Sequence, residues 1–129
     1  MFTDELSILL IYGLLTALLL VGKVTGMMAR LDMGYLLSSR DEHRTLEGML
    51  GRTDRALNNS VTALALFAPP ILALAVKDSF TGESLLASQV FLLARIVYVP
   101  AYVFGIRGLR TAVWLVGFLC TVVLYFLAL

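Results

Sequence analysis

The chain has 129 residues, of which 60% are apolar and only 15% charged, against about 45 to 50% apolar in soluble domains. At a mean hydropathy of +0.91, a domain of this length has too little interior to hide its apolar surface, so a water-soluble fold is set aside and the solvent is a bilayer. The net charge of +1 offers no strongly basic face for nucleic acid. A single cysteine, Cys120, excludes an intrachain disulfide and a CxxC pair, and a single histidine, His43, excludes the two-histidine metal motifs.

Crossing a hydrocarbon core of about 30 Å takes about 20 helical residues. Four apolar stretches meet that length, at about 6–29, 56–76, 85–105 and 109–129. They predict an all-α fold: one membrane-embedded four-helix domain over residues 1–129, with no soluble domain between the spans.

The first stretch follows Met1-Phe2-Thr3-Asp4-Glu5, acidic where a secretory signal would be basic, and its apolar run is too long for a signal. It is expected to stay as a span. Within it Gly22 and Gly26 form a GxxxG pattern suited to close helix contact, and Lys23 is placed to snorkel. The polar segment Leu31 to Gly51 mixes Asp32, Arg40, Asp41, Glu42, Arg44 and Glu47, and Ser39 followed by Glu42 fits a capping box that would start a short helix.

The second span is entered through Gly51-Arg52-Thr53-Asp54-Arg55-Ala56-Leu57-Asn58-Asn59. Arg52, Arg55 and Asn59 are spaced i, i+3 and i+7 and so share one helical stripe. Two readings are open. The arginines are flanking residues of the positive-inside kind, or they are two bidentate forks for carboxylates, with the Asn59 carboxamide placed to exchange hydrogen bonds with a peptide group. Pro69-Pro70 is expected to kink this span.

In the third span Arg95 lies mid-way, where snorkelling is least effective, and a buried charge costs about 2.5 to 3.5 kcal/mol on insertion scales. It either ties helices together or contacts an anionic ligand. Tyr98 and Tyr102 share its face, either as an interfacial aromatic belt or as hydroxyls turned to a polar cavity, and Pro100 between them lacks a backbone donor. Arg107 and Arg110 fall in the third loop, and Cys120 inside the fourth span has no nearby base and reads as a packing residue. Lys and Arg gather at 30–55 and at 107–110, while the loop near 77–84 offers only Lys77, so both termini are expected on the non-cytoplasmic side.

These motifs together resemble the MAPEG family, the membrane-associated proteins of eicosanoid and glutathione metabolism, in its bacterial form. The likeness covers nearly the whole chain. The family pattern Glu-Arg-x-x-Arg-Ala-x-x-Asn-x-x-Glu is similar to the run from Gly51 to Thr62, which keeps Arg52, Arg55, Ala56 and Asn59 but has Gly51 and Thr62 at the acidic positions. The family's Arg-x-x-Tyr-x-x-x-Tyr, followed by an arginine on the next helix, is similar to Arg95, Tyr98, Tyr102 and Arg110. The resemblance implies a homotrimer in a bacterial inner membrane, with glutathione as cosubstrate in a cleft between subunits, open toward the cytoplasm. Arg30, Arg52, Arg55, Asn59, Tyr98 and Tyr102 would hold the tripeptide, and Arg110 would activate its thiol.

The chemistry so implied needs a thiolate, because the thiol is a poor nucleophile. Lowering a thiol pKa from about 8.5 to about 6.5 takes about 2.7 kcal/mol. One arginine hydrogen bond in a partly dry cleft supplies about 1.5 to 3 kcal/mol, so the expected activity, a transferase or peroxidase acting on lipophilic molecules that arrive from the bilayer, requires no metal. The alternative is a noncatalytic scaffold or lipid-binding protein that keeps the family fold, since both acidic motif positions are gone.

Overall fold

The protein is described by a computed structural model over residues 3–30 and 48–129. The capping box expected at Ser39 and Glu42 lies outside the described residues. Four helices account for nearly all the rest: α1 (Glu5–Arg30), α2 (Gly48–Lys77), α3 (Gly82–Val103) and α4 (Arg107–Ala128). Each is long and apolar enough to cross a membrane.

Large apolar side chains are widely exposed, among them Leu10 at 74%, Val76 at 89% and Phe126 at 73%. Such faces have no cost when the surroundings are lipid tails, and the helices are then held by packing and hydrogen bonds, without a hydrophobic drive between them. The interior centres on Tyr12, Phe67 and Phe91, one aromatic from each of α1, α2 and α3. Phe67 and Phe91 stack at 4.0 Å, and Tyr12 meets Phe91 edge-on at 5.1 Å. Buried hydroxyls in this dry interior find acceptors at once: Tyr12 donates to the Ser60 carbonyl at 2.9 Å and Thr121 to that of Gly117 at 2.9 Å.

Helix ends follow local chemistry. Asp4 accepts from the Leu6 amide and the Ser7 hydroxyl, both at 3.1 Å, and so caps α1 with the acidic residue that distinguishes it from a signal. Thr81 and Ser84 form a reciprocal capping box at the start of α3. α2 passes through Pro69-Pro70 as one continuous helix.

The turn between α3 and α4 sets the register of everything that follows. Ile106 N–H donates to the Ala101 carbonyl at 2.8 Å and Gly105 N–H to that of Tyr102 at 3.1 Å, with Gly105 at φ +76°. This is the Schellman arrangement, and its left-handed position favours glycine. It ends α3 at Val103, slightly before the expected span limit, and starts α4 at once, so Tyr102 and Arg110 face each other across the turn.

α2 starts at Gly48, well before the span expected from 56. Its 30 residues amount to about 45 Å of helix against about 30 Å of hydrocarbon. The excess carries Arg52 and Arg55 on a rigid helical extension at the end of the bundle where Arg107 and Arg110 begin α4.

Candidate functional site

Three adjoining cavities run along a groove between α2, α3 and α4. The first, of about 360 Å³, is lined by Arg52, Arg55, Tyr102, Gly105, Arg107 and Arg110 and is strongly polar. The second, about 220 Å³, is lined by Asn59, Tyr98, Arg110, Thr111 and Trp114. The third, about 140 Å³, is mostly apolar, with Leu66, Phe91, Trp114 and Phe118 among its walls and Arg95 reaching it from the interior. Arg110 belongs to the first two cavities; Asn59 and Trp114 belong to the last two. The groove therefore grades from cationic to apolar with Arg110 at the first junction.

The local sequence explains the convergence. Arg52, Arg55 and Asn59 descend one stripe of α2, and Arg110 and Trp114 continue into Gly117 and Thr121 down one stripe of α4. Between them, α3 presents Tyr98 and Tyr102, whose ring centroids lie 5.6 Å apart. The Arg110 guanidinium sits over the Tyr102 ring at 4.6 Å, a contact that holds a long, flexible side chain at the junction. Arg52 Nε donates to the Val103 carbonyl at 2.7 Å, which satisfies a terminal acceptor of α3 and ties that helix end to α2.

Of the residues singled out from the sequence, Arg52, Arg55, Tyr102 and Arg110 meet in the first cavity, and Asn59 and Tyr98 join Arg110 in the second. Arg30 closes α1, and its side chain lies outside the described residues. Tyr98 is 4% exposed, so it turns inward and forms no part of an interfacial belt. The Asn59 side-chain oxygen is buried without a hydrogen-bond partner, an acceptor suited to a peptide N–H or an ammonium group. Thr62, where the family pattern has an acid, lines the apolar cavity, and its hydroxyl donates back to the Asn58 carbonyl at 3.0 Å.

Arg95 is 2% exposed. It donates to the Ser60 hydroxyl at 3.1 Å and lies over the rings of Tyr98 at 4.1 Å and Tyr12 at 5.9 Å. This is a helix-tying role, carried by neutral partners. Ser60 and Tyr12 escaped sequence reasoning because nothing local marks a serine or a tyrosine on another helix as the partner of a buried arginine. Trp114 and Gly117 were also missed, although their spacing from Arg110 on one α4 stripe was a usable signal.

Close helix contact occurs at Gly26, where a Cβ would come within 2.8 Å of a Leu50 methyl, whereas Gly22 has no neighbour at that range. Lys23 between them pairs with Asp54 of α2 at 2.5 Å.

The model of the MAPEG family matches residues 6–129 of the chain. No curated protein matches it.

Proposed function

Because the chain belongs to the MAPEG family, a family of membrane proteins of glutathione-linked transferase and peroxidase chemistry, we propose that it is a membrane-bound glutathione-dependent transferase or peroxidase acting on lipophilic electrophiles. The observation that carries this reading is the continuity of the groove: a four-arginine cavity at one end, an apolar one at the other, and Arg110 where the first gives way to the second. Arg52, Arg55 and Arg107 match the two carboxylates of the tripeptide, and the unpartnered Asn59 oxygen matches a peptide N–H. Arg30 at the end of α1 joins the same set by its motif position.

Arg110 holds the sulfur as a thiolate. The thiolate attacks the electrophilic carbon of a molecule that has entered from the bilayer; the C–S bond forms as the leaving group departs with its electron pair. Tyr98 and Tyr102 line the wall beside the sulfur and position the tripeptide.

Several lining residues, including Arg55, Leu66, Trp114 and Phe118, are exposed on the single chain. A neighbouring copy in a homotrimer would close that side and leave a lateral entrance from lipid. The arginine-rich end faces the cytoplasm of a bacterial inner membrane, with both termini on the other side, in keeping with the positive-inside bias.

The test is conjugation of chlorodinitrobenzene by purified protein in detergent, followed as glutathione-dependent displacement of chloride. Activity that Arg110→Ala leaves untouched would remove Arg110 from the mechanism. Failure of millimolar glutathione either to support turnover or to raise the melting temperature would overturn the whole reading. A second reading, a noncatalytic scaffold or lipid binder, draws on the use of Arg52 to cap α3; stabilisation by anionic lipid but not by glutathione would favour it.

A further inference from the structure

The polar groups of the groove are mostly ones that give hydrogen bonds or carry positive charge. Arg52, Arg55, Arg107 and Arg110 line its wet end, Arg95 reaches its other end, and Asn59 and Trp114 add a carboxamide and an indole to the walls between. A guanidinium and an indole donate and do not accept. Among the described residues no carboxylate lines any of the three cavities. Asp4, Glu5, Asp78 and Glu83 stand at the opposite end of the bundle, and Asp54 is held by Lys23 of α1.

Two positions in the sequence account for much of this imbalance. Gly51 and Thr62 stand where the family pattern has acids. Thr62 is neutral and spends its hydroxyl hydrogen on the Asn58 carbonyl at 3.0 Å. The cavity it lines also holds two buried atoms without hydrogen-bond partners, Arg95 Nε, a donor, and Asn59 Oδ1, an acceptor. Asn59 Oδ1 is thus the buried side-chain acceptor left free in the walls among the described residues.

Glutathione would bring to these walls two carboxylates, two peptide N–H groups, a thiol and one ammonium. The carboxylates suit the arginines. The ammonium suits nothing charged here: it donates three hydrogen bonds, accepts none, and is repelled by each guanidinium in the groove. Asn59 Oδ1 cannot serve it fully while also receiving a peptide N–H. We propose that the groove selects a small thiol with two or more carboxylates and no free ammonium, so that glutathione is a weaker ligand than the same tripeptide without its amino group. This preference rests on reading the groove as a thiol site, and it names the class of cosubstrate that the site takes best.

The test compares glutathione with glutaryl-cysteinyl-glycine, which keeps both carboxylates, both peptide groups and the thiol and lacks only the amino group. Melting temperatures of the purified protein in an uncharged detergent are followed under nitrogen, near neutral pH and at fixed ionic strength, as each compound is titrated, with glutarate as a dianion lacking the thiol. The amino-free tripeptide reaches half its full shift at a concentration about tenfold below that of glutathione, and glutarate gives no shift in that range. In Thr62→Glu the gap between the two tripeptides closes, because a carboxylate then offsets the surrounding positive charge.

Glutathione binding as tightly as its amino-free counterpart, or more tightly, overturns the proposal and leaves the glutathione reading intact. A shift from the amino-free tripeptide where millimolar glutathione gives none upholds the proposal and ends the reading of glutathione itself as cosubstrate. No shift from either ends both. Glutarate matching the amino-free tripeptide overturns the proposal, because any dianion then suffices, as does an undiminished gap in a folded Thr62→Glu. Should Thr62→Glu not fold, the three compounds on the unmodified protein decide the matter alone.

Discussion

Removing the Arg110 charge is the most direct perturbation of the proposed chemistry. Arg110 borders both the arginine-lined cavity and the one that carries Asn59 and Tyr98, and Tyr102 fixes its guanidinium from 4.6 Å. A thiolate at about 4 Å from that charge gains about 1 kcal/mol in fully hydrated surroundings and about 4 kcal/mol at the effective dielectric of a partly buried pair. The groove lies between these limits, so on the proposed mechanism Arg110 is expected to depress the thiol pKa of bound glutathione by about one to two units, at 1.36 kcal/mol per unit. Arg52, Arg55 and Arg107 remain in Arg110→Ala and keep the tripeptide bound. The sign follows: with the pKa raised back to about 8.5, less thiolate is present at neutral pH, so the rate falls by about 8- to 25-fold there and recovers as pH rises past the new pKa. The assay is the pH profile of kcat/KM for chlorodinitrobenzene conjugation, paired with the thiolate absorbance of bound glutathione. A parallel loss at every pH, with the apparent pKa unmoved, would refute thiolate stabilisation as the role of this arginine.

Other substitutions probe the frame around that charge. Gly105→Ala forces a side chain into φ +76° and is expected to cost about 1 kcal/mol, seen as a lower melting temperature and a higher KM for glutathione as the α3–α4 turn loosens. Arg52→Gln removes the bond to the Val103 carbonyl and is expected to cost about 1 to 2 kcal/mol of stability while weakening glutathione binding; unchanged thermal melts would show that α3 needs no tie to α2. Lys23→Gln breaks the pair with Asp54, whose partners are each about one-quarter exposed, so the loss is expected to be below about 1 kcal/mol and to shrink with added salt. Thr62→Glu puts a carboxylate into the wall that Arg95 lines; it is expected to raise glutathione-dependent thermal stabilisation, read as the melting-temperature shift with and without glutathione.

The four spans were legible in the sequence because a bilayer demands about 20 apolar residues per crossing, and few other structures do. Helix limits were less so. Apolarity marks the slab of hydrocarbon, and a helix is free to continue past it, as α2 does through Arg52 and Arg55. The ends of α3 depended instead on Gly105, whose left-handed conformation is visible only in the backbone. Stripes along one helix were readable: Arg52, Arg55 and Asn59 share a cavity system with Tyr98, Tyr102 and Arg110 because spacing on a single helix fixes a face. Pairings across helices were not readable. Arg95 finds Ser60 and Tyr12, and Lys23 finds Asp54, through helix rotations that no periodicity encodes.

If the chain has the proposed activity, the order of charge along the groove is what would let one site bring together reactants that share no solvent. On that proposal a tripeptide with two carboxylates would be drawn to four arginines at the wet end, and its sulfur, at Arg110, would be carried to the edge of the apolar cavity. With fewer polar groups lining that end, the same guanidinium would act on the sulfur with greater strength than in bulk solvent. The lipophilic partner would need only lateral motion from the bilayer to reach that edge. Had the arginines been spread evenly along the groove, the apolar end would have stayed hydrated and the second reactant excluded.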